Sequence, residues 1–179
     1  MKLIRLIFIL MFTLVSTGTI AEEAVHETEQ SSPWKLICFK NEKACRSLWI
    51  AVDAPEGHGS IQVAYNVQLQ KKGPPTATFT VNLDAITLDK DKRSIVVNTD
   101  TSKPMTIPVI ADDFGGVSAE LKNPQTINTL LSRMERATAF FVNYEEEGKL
   151  KTTTVKIPLT GFAGEMEYMI SGDALMVKY

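Results

Sequence analysis

Cys38 and Cys45 close an eight-residue loop within Trp34-Lys-Leu-Ile-Cys38-Phe-Lys-Asn-Glu-Lys-Ala-Cys45-Arg-Ser-Leu-Trp49. A pair of thiols supports three chemistries: a structural disulfide, a dithiol redox couple, or half of a zinc site. Redox pairs favour the tighter Cys-x-x-Cys spacing, and zinc needs two further ligands, for which only His26 and His58 are available. In an exported chain an even cysteine count is most simply a disulfide. Asn41-Glu42-Lys43 is turn-like and apolar residues flank each cysteine, so the two are expected to face each other across a β-hairpin. Closing that loop stabilises by roughly 2–3 kcal/mol on the chain-entropy model.

Other residues with chemical potential are sparse. His58 lies in Pro55-Glu56-Gly57-His58-Gly59-Ser60, where flanking glycines supply mobility and no partner fixes a general base. Asp112-Asp113-Phe114-Gly115-Gly116 has two carboxylates but not the regularly spaced oxygens of a calcium loop. Both read as turns. Glu145-Glu146-Glu147 reads as a charged hairpin tip. There is no Gly-x-Ser-x-Gly elbow, no His-Glu-x-x-His and no phosphate loop. No catalytic residue, metal or cofactor is expected, and the chain reads as a non-enzyme.

Composition narrows the field without choosing within it. The 179 residues are 44% hydrophobic and 22% charged, ordinary values for a globular protein. Two of the 19 basic residues, Lys2 and Arg5, precede residue 22, whereas all 21 acidic ones lie from Glu22 onward. That acidic balance argues against a nucleic-acid binder, which needs excess Lys and Arg against phosphate.

Lys2 and Arg5 lead into an apolar run from Leu6 to Val15, broken only by Thr13; small and polar residues follow, then Ala21 and Glu22-Glu23. This is the order of a secretory signal peptide, with cleavage expected after Ala21. The run is about half of the roughly 20 residues a membrane-spanning helix needs, so no span is expected in the mature chain. Residues 22–32 read as a disordered acidic leader, and residues 33–179 as one domain.

Those residues form a mainly β chain. Ile61-Gln-Val63-Ala-Tyr65-Asn-Val67-Gln-Leu69 alternates apolar and polar, and Thr76–Leu83 does so with Phe79, Val81 and Leu83 on one side. Further strands are expected over 85–88, 94–98, 105–110, 117–121, 139–144 and 152–157. The pattern predicts an antiparallel β-sandwich, or a barrel-like fold. One α-helix near residues 124–137 interrupts it: Asn123 caps, Pro124 suits the first turn, and Ile127, Leu130, Leu131 and Met134 make one stripe. The helix is expected to close the sandwich. A second reading gives Arg133 and Arg136, with Lys122, a basic edge for an anionic partner.

The chain resembles the invasion-associated locus B family of secreted bacterial proteins. The likeness is carried by Pro33-Trp34-Lys-Leu-Ile-Cys38 with Cys45, and by Met105-Thr-Ile107-Pro108-Val109 followed by Gly115-Gly116-Val117 and the helix. Val155-Lys-Ile157-Pro-Leu159-Thr160-Gly161-Phe162-Ala163 completes it as a closing strand and turn. Family members often carry a second cysteine pair near the region that here reads Ile107 to Val117; no cysteine stands there, so hydrogen bonds must hold the Asp112–Gly116 turn. The resemblance implies an exported β-sandwich, periplasmic or associated with the outer surface and linked to host-cell invasion, and it implies no catalytic residue.

The leading expectation is therefore a non-enzymatic interaction protein that binds an envelope or host protein. Such a protein needs an exposed apolar or aromatic patch or an unpaired sheet edge. Contacts are expected from the Gly57–Ser60 and Asp112–Gly116 loops and from Tyr144. The alternative is a periplasmic carrier of a lipid or small apolar ligand, its cavity lined by Phe140, Phe141, Met166, Met169 and Met176.

Overall fold

The computed structural model describes residues 23–26, 32–39, 44–55, 59–68, 72, 75–89, 94–113 and 116–170. The expected signal peptide, the Asn41–Lys43 turn, His58 and Met176 lie outside the described residues. The strands are β1 (Glu23–His26), β2 (Lys35–Phe39), β3 (Ala44–Asp53), β4 (Ser60–Gln68), β5 (Thr76–Asp84), β6 (Ser94–Thr99), β7 (Met105–Asp113), β8 (Gly116–Leu121), β9 (Ala139–Glu145) and β10 (Thr152–Pro158). The helices are α1 (Pro124–Met134) and α2 (Phe162–Ile170). The chain is mainly β, as its alternating pattern predicts. Every pairing is antiparallel, in the order β1-β2-β3-β4-β5-β8-β7-β6-β9-β10, and the sheet curls into a half-barrel.

Period-two patterning dictates which face turns inward. Phe79, Val81 and Leu83 of β5, Val117, Ala119 and Leu121 of β8, and Ile95 and Val97 of β6 are all buried. The intervening polar residues form ladders on the other face, where Ser118 Oγ donates to Asn82 Oδ1 and Asn82 Nδ2 donates to Gln62 Oε1. Ser47 Oγ likewise donates to Asn66 Oδ1 across β3 and β4.

The curl has a local cause in β7. Residues Met105 to Pro108 pair with β6, whereas Val109 to Asp113 pair with β8, and the register shifts between Val109 and Ala111. The extra residue, Ile110, is 57% exposed. A bulge of this kind bends its strand and lets it serve two sheet segments at an angle. Beyond it, Ala111, Asp112 and Asp113 pair with Ser118, Val117 and Gly116, so a backbone ladder holds the hairpin where no second cysteine pair stands. Phe114 and Gly115, at its tip, lie outside the described residues.

Helix α1 forms as its signals predict. Asn123 Oδ1 accepts the backbone N–H of Thr126 at 3.0 Å, and Ile127, Leu130, Leu131 and Met134 are buried against the sheet, with β5 in contact. It stops at Met134, earlier than expected, because Arg136 N–H donates to Arg133 O and Ala137 N–H to Met134 O. Those tight i→i+3 bonds end the α-helical ladder.

Three segments differ from expectation. Within the stretch read as an unstructured leader, Glu23–His26 pairs with β2 as an edge strand, a contact made through backbone groups and therefore indifferent to side-chain pattern. Residues 85–88 do not extend as a strand: Ala85 turns the chain at φ 56°, and Leu88 makes only one bridge, to Glu146. The third is α2, a second helix where only one is expected. Phe162, Met166 and Met169 face inward at i, i+4 and i+7, and the helix contacts β2 and β3. Gly161 makes its start feasible, at φ 80° with Ser32 so close that any side chain there would collide.

Trp34 seals the seam between the two ends of the sheet. It is 1% exposed, its indole N–H donates to the carbonyl of Pro158 at 2.9 Å, and its ring meets Phe162 edge-on at 4.8 Å. Replacing it tests this role by urea unfolding. Trp34→Phe keeps a ring but leaves the Pro158 carbonyl without its donor, an expected loss of about 1–2 kcal/mol. Trp34→Ala also opens a cavity, an expected loss of about 3–5 kcal/mol. A Trp34→Ala protein as stable as the parent would show that the seam carries no stability.

Candidate functional site

Topology brings together two segments some thirty residues apart in sequence. The turn after β6 presents Thr101, Ser102 and Lys103, and facing it α1 and its end present Asn128, Thr129, Ser132, Arg133 and Arg136. Between them runs an open groove of about 670 Å³. The helix supplies its residues because the buried stripe occupies the other side of α1, leaving 128, 129, 132, 133 and 136 on the far face.

The turn is held on two sides. Thr99 is 1% exposed and is the one buried polar residue among those described. Its backbone N–H donates to Ser102 Oγ at 3.0 Å, its carbonyl accepts Ser102 N–H at 3.3 Å, and its hydroxyl lies 3.3 Å from that of Thr101. Asp100 fastens the other side: Thr138 Oγ1 donates to its carboxylate at 2.6 Å, and Thr138 N–H adds contacts at 3.3 Å. Arg133 Nη1 donates to the Lys103 carbonyl at 3.4 Å, joining the two walls. A buried hydroxyl satisfied by the turn it supports fixes that turn's conformation.

Electrostatics favour an anion. Lys103, Arg133 and Arg136 converge on the groove, and none forms an ion pair with a carboxylate among the described residues. The arginines also sit where α1 exposes its last carbonyls, which favours positive charge there. Lys122, by contrast, is paired with Glu120 at 2.8 Å and does not line the groove. The basic edge is therefore completed by Lys103 in place of Lys122. Asp100, the acid that fastens the turn, is held below its ordinary value of 3.8, chiefly by the Thr138 hydroxyl with backbone N–H groups adding to it, against a smaller opposing effect of desolvation.

The other expected contact points fall elsewhere. Tyr144 is 2% exposed on the inner face of β9 and cannot serve as a surface contact, because the alternation of β9 turns it inward with Phe140 and Val142. Among the described residues the large exposed hydrophobic side chains are Ile110 and Leu150. The sheet ends in β1 and β10, and β10 carries Lys156 and Pro158, features that discourage pairing by another strand. Phe140, Met166 and Met169, expected to line a cavity, are packed into the core itself. No three metal-ligating side chains converge among the described residues, and none of their helices is long and apolar enough to cross a membrane.

The half-barrel has a solved counterpart, the crystal structure of invasion associated protein B from Bartonella henselae, with a TM-score of 0.56 over 83% of this chain and 99% of that one. The two share 12% sequence identity. The likeness is one of fold. No family model matches the chain, and no curated protein does.

The depressed Asp100 carboxyl sets a pH dependence. A group whose folded pKa lies below its unfolded value contributes stability above the unfolded value and loses it as pH falls through the folded one. The stability advantage of the parent over Asp100→Asn is therefore expected to be full at neutral pH and to vanish as pH drops below the ordinary carboxylate range. Urea midpoints of both proteins across acid pH check this; an advantage independent of pH would contradict the Asp100–Thr138 assignment.

Proposed function

We propose that this is an exported, non-enzymatic recognition protein of the invasion-associated locus B type, acting in the periplasm or at the outer surface and binding an anionic component of the bacterial envelope or of a host surface. The observation that carries the reading is the groove: three cations without carboxylate partners face a wall fixed by the Thr99 and Asp100 hydrogen bonds. Cations without an internal carboxylate partner are available to an anionic ligand, because no internal ion pair has to break first. Export is supported by the charged, apolar and small-residue order of residues 1–21, and the fold likeness agrees with that class. Recognition there needs only complementary charge and hydrogen bonds, with no bond-making step.

The test is retention of the purified protein on an immobilised polyanion as salt is raised. Attraction between exposed charges weakens as the screening length falls to about 8 Å at physiological ionic strength. The parent protein is expected to bind at low salt and elute as salt rises. Arg133→Glu with Arg136→Glu is expected to weaken binding by about tenfold or more, since each charge-assisted hydrogen bond contributes about 1.5–3 kcal/mol. Some stability is expected to be lost as well, because both arginines sit at the carbonyl end of α1 and Arg133 Nη1 holds the Lys103 carbonyl, so retention is compared under conditions where circular dichroism shows both proteins folded. Equal retention of the two proteins would refute the groove as the binding surface.

We also propose that Cys38 and Cys45 are joined. The β2–β3 register sets them directly opposite each other, the arrangement a cross-strand bridge requires. Thiol titration of the exported protein under denaturing conditions is expected to find no free thiol, and reduction to release both. Two reactive thiols before reduction would defeat the bridge.

A further inference from the structure

Resting on the anionic reading of the groove, we infer that its ligand is a phosphorylated sugar, with the phosphate held at the cationic end and the saccharide laid along the neutral wall. The charges are not spread evenly. Arg133 and Arg136 lie at the C-terminal end of α1, and Lys103 joins them through its carbonyl contact with Arg133, whereas Asn128, Thr129 and Ser132 continue the wall without charge. One end therefore suits a dianion and the rest suits a neutral polar body.

The neutral wall is hydrogen-bonding in both senses. Ser102 Oγ accepts the Thr99 N–H, so its own hydrogen is left to donate into the groove. Thr129 Oγ1 already donates to the Gln125 carbonyl at 2.8 Å, so it offers a lone pair instead. Asn128 adds an amide that does both. A sugar hydroxyl, which donates and accepts at once, matches such a surface.

What the groove lacks excludes other anions of similar charge. Among the described residues no aromatic side chain lines it, so a nucleobase would find none of them to stack on. Among the described residues no large apolar side chain lines it either, so an acyl chain would gain little from them. A volume of about 670 Å³ is several times what a free phosphate ion fills and lies in the range of small-molecule sites. Three cations exceed what one carboxylate needs, and a phosphate monoester carries about −1.5 to −2 at neutral pH.

Titration calorimetry on the full chain tests this with four probes: a glucosamine phosphate, glucosamine, inorganic phosphate and glucuronate. The glucosamine phosphate is expected to bind about tenfold or more tightly than each of the other three, because only it engages both ends of the groove. Arg133→Gln should weaken it by about tenfold, and Asn128→Ala, on the exposed face of α1, by about threefold with a smaller effect on inorganic phosphate. Vesicles displaying a phosphorylated saccharide headgroup distinguish a lipid-borne source from a soluble one: either source supports the assignment. Equal affinity for inorganic phosphate and the sugar phosphate overturns it while leaving the anionic reading intact if polyanion retention persists. Loss of both small-ligand binding and polyanion retention overturns the two together.

Discussion

Thr138 is the point at which the exits of β6, α1 and β10 are tied together. Its N–H and hydroxyl donate to Asp100 in the turn after β6, and its carbonyl accepts the N–H of Leu159, one residue beyond β10. Leu159 in turn accepts the N–H of Phe162, the first residue of α2. A single threonine thus connects the groove wall, the exit of α1 and the helix that covers the open side of the sheet. Replacing its side chain would remove the shortest bond to the Asp100 carboxylate, while the backbone N–H and carbonyl contacts would remain to hold the three segments together.

The same architecture separates core from surface sharply. A curled sheet of ten strands with one apolar face must have that face covered, and α1, α2 and Trp34 do this with Met134, Phe162, Met166 and the indole. Bulky aromatic and Met residues are consumed in that task, so Phe140, Met166 and Met169, three of the residues suggestive of an apolar ligand cavity in the sequence, are the packing itself. What remains for recognition is polar: hydroxyls, amides and three cations gathered by a tight turn and the exposed side of a helix. The groove they line is suited to charge and hydrogen bonding.

How much of this was legible in the sequence followed from how local each signal is. The stripe Ile127, Leu130, Leu131 and Met134, with Asn123 and Pro124 ahead of it, is complete within one turn-by-turn pattern, and α1 follows it. The alternation in β4 and β5 is equally local. The β7 bulge is not, since an extra residue at Ile110 matters only once two different neighbours compete for one strand. Helix α2 was hidden because Leu159-Thr160-Gly161-Phe162 reads as a closing turn, although Phe162, Met166 and Met169 carry a helical spacing in plain sight. Arg133 and Arg136 could be singled out from their place on α1, but Lys103 could not, because only the pairing of β6 with β7 and β9 carries it to the helix.

The central claim is that this protein acts by recognition at one groove. Mapping backbone amide shifts as an anionic fraction of envelope saccharides is titrated into the isotope-labelled protein tests it most directly. The account predicts shifts concentrated at Thr101 to Lys103 and along Asn128 to Arg136, with Thr138 responding through Asp100. Shifts confined to the β10 edge, Thr152 to Ile157, or an absence of any response from the groove, would contradict it.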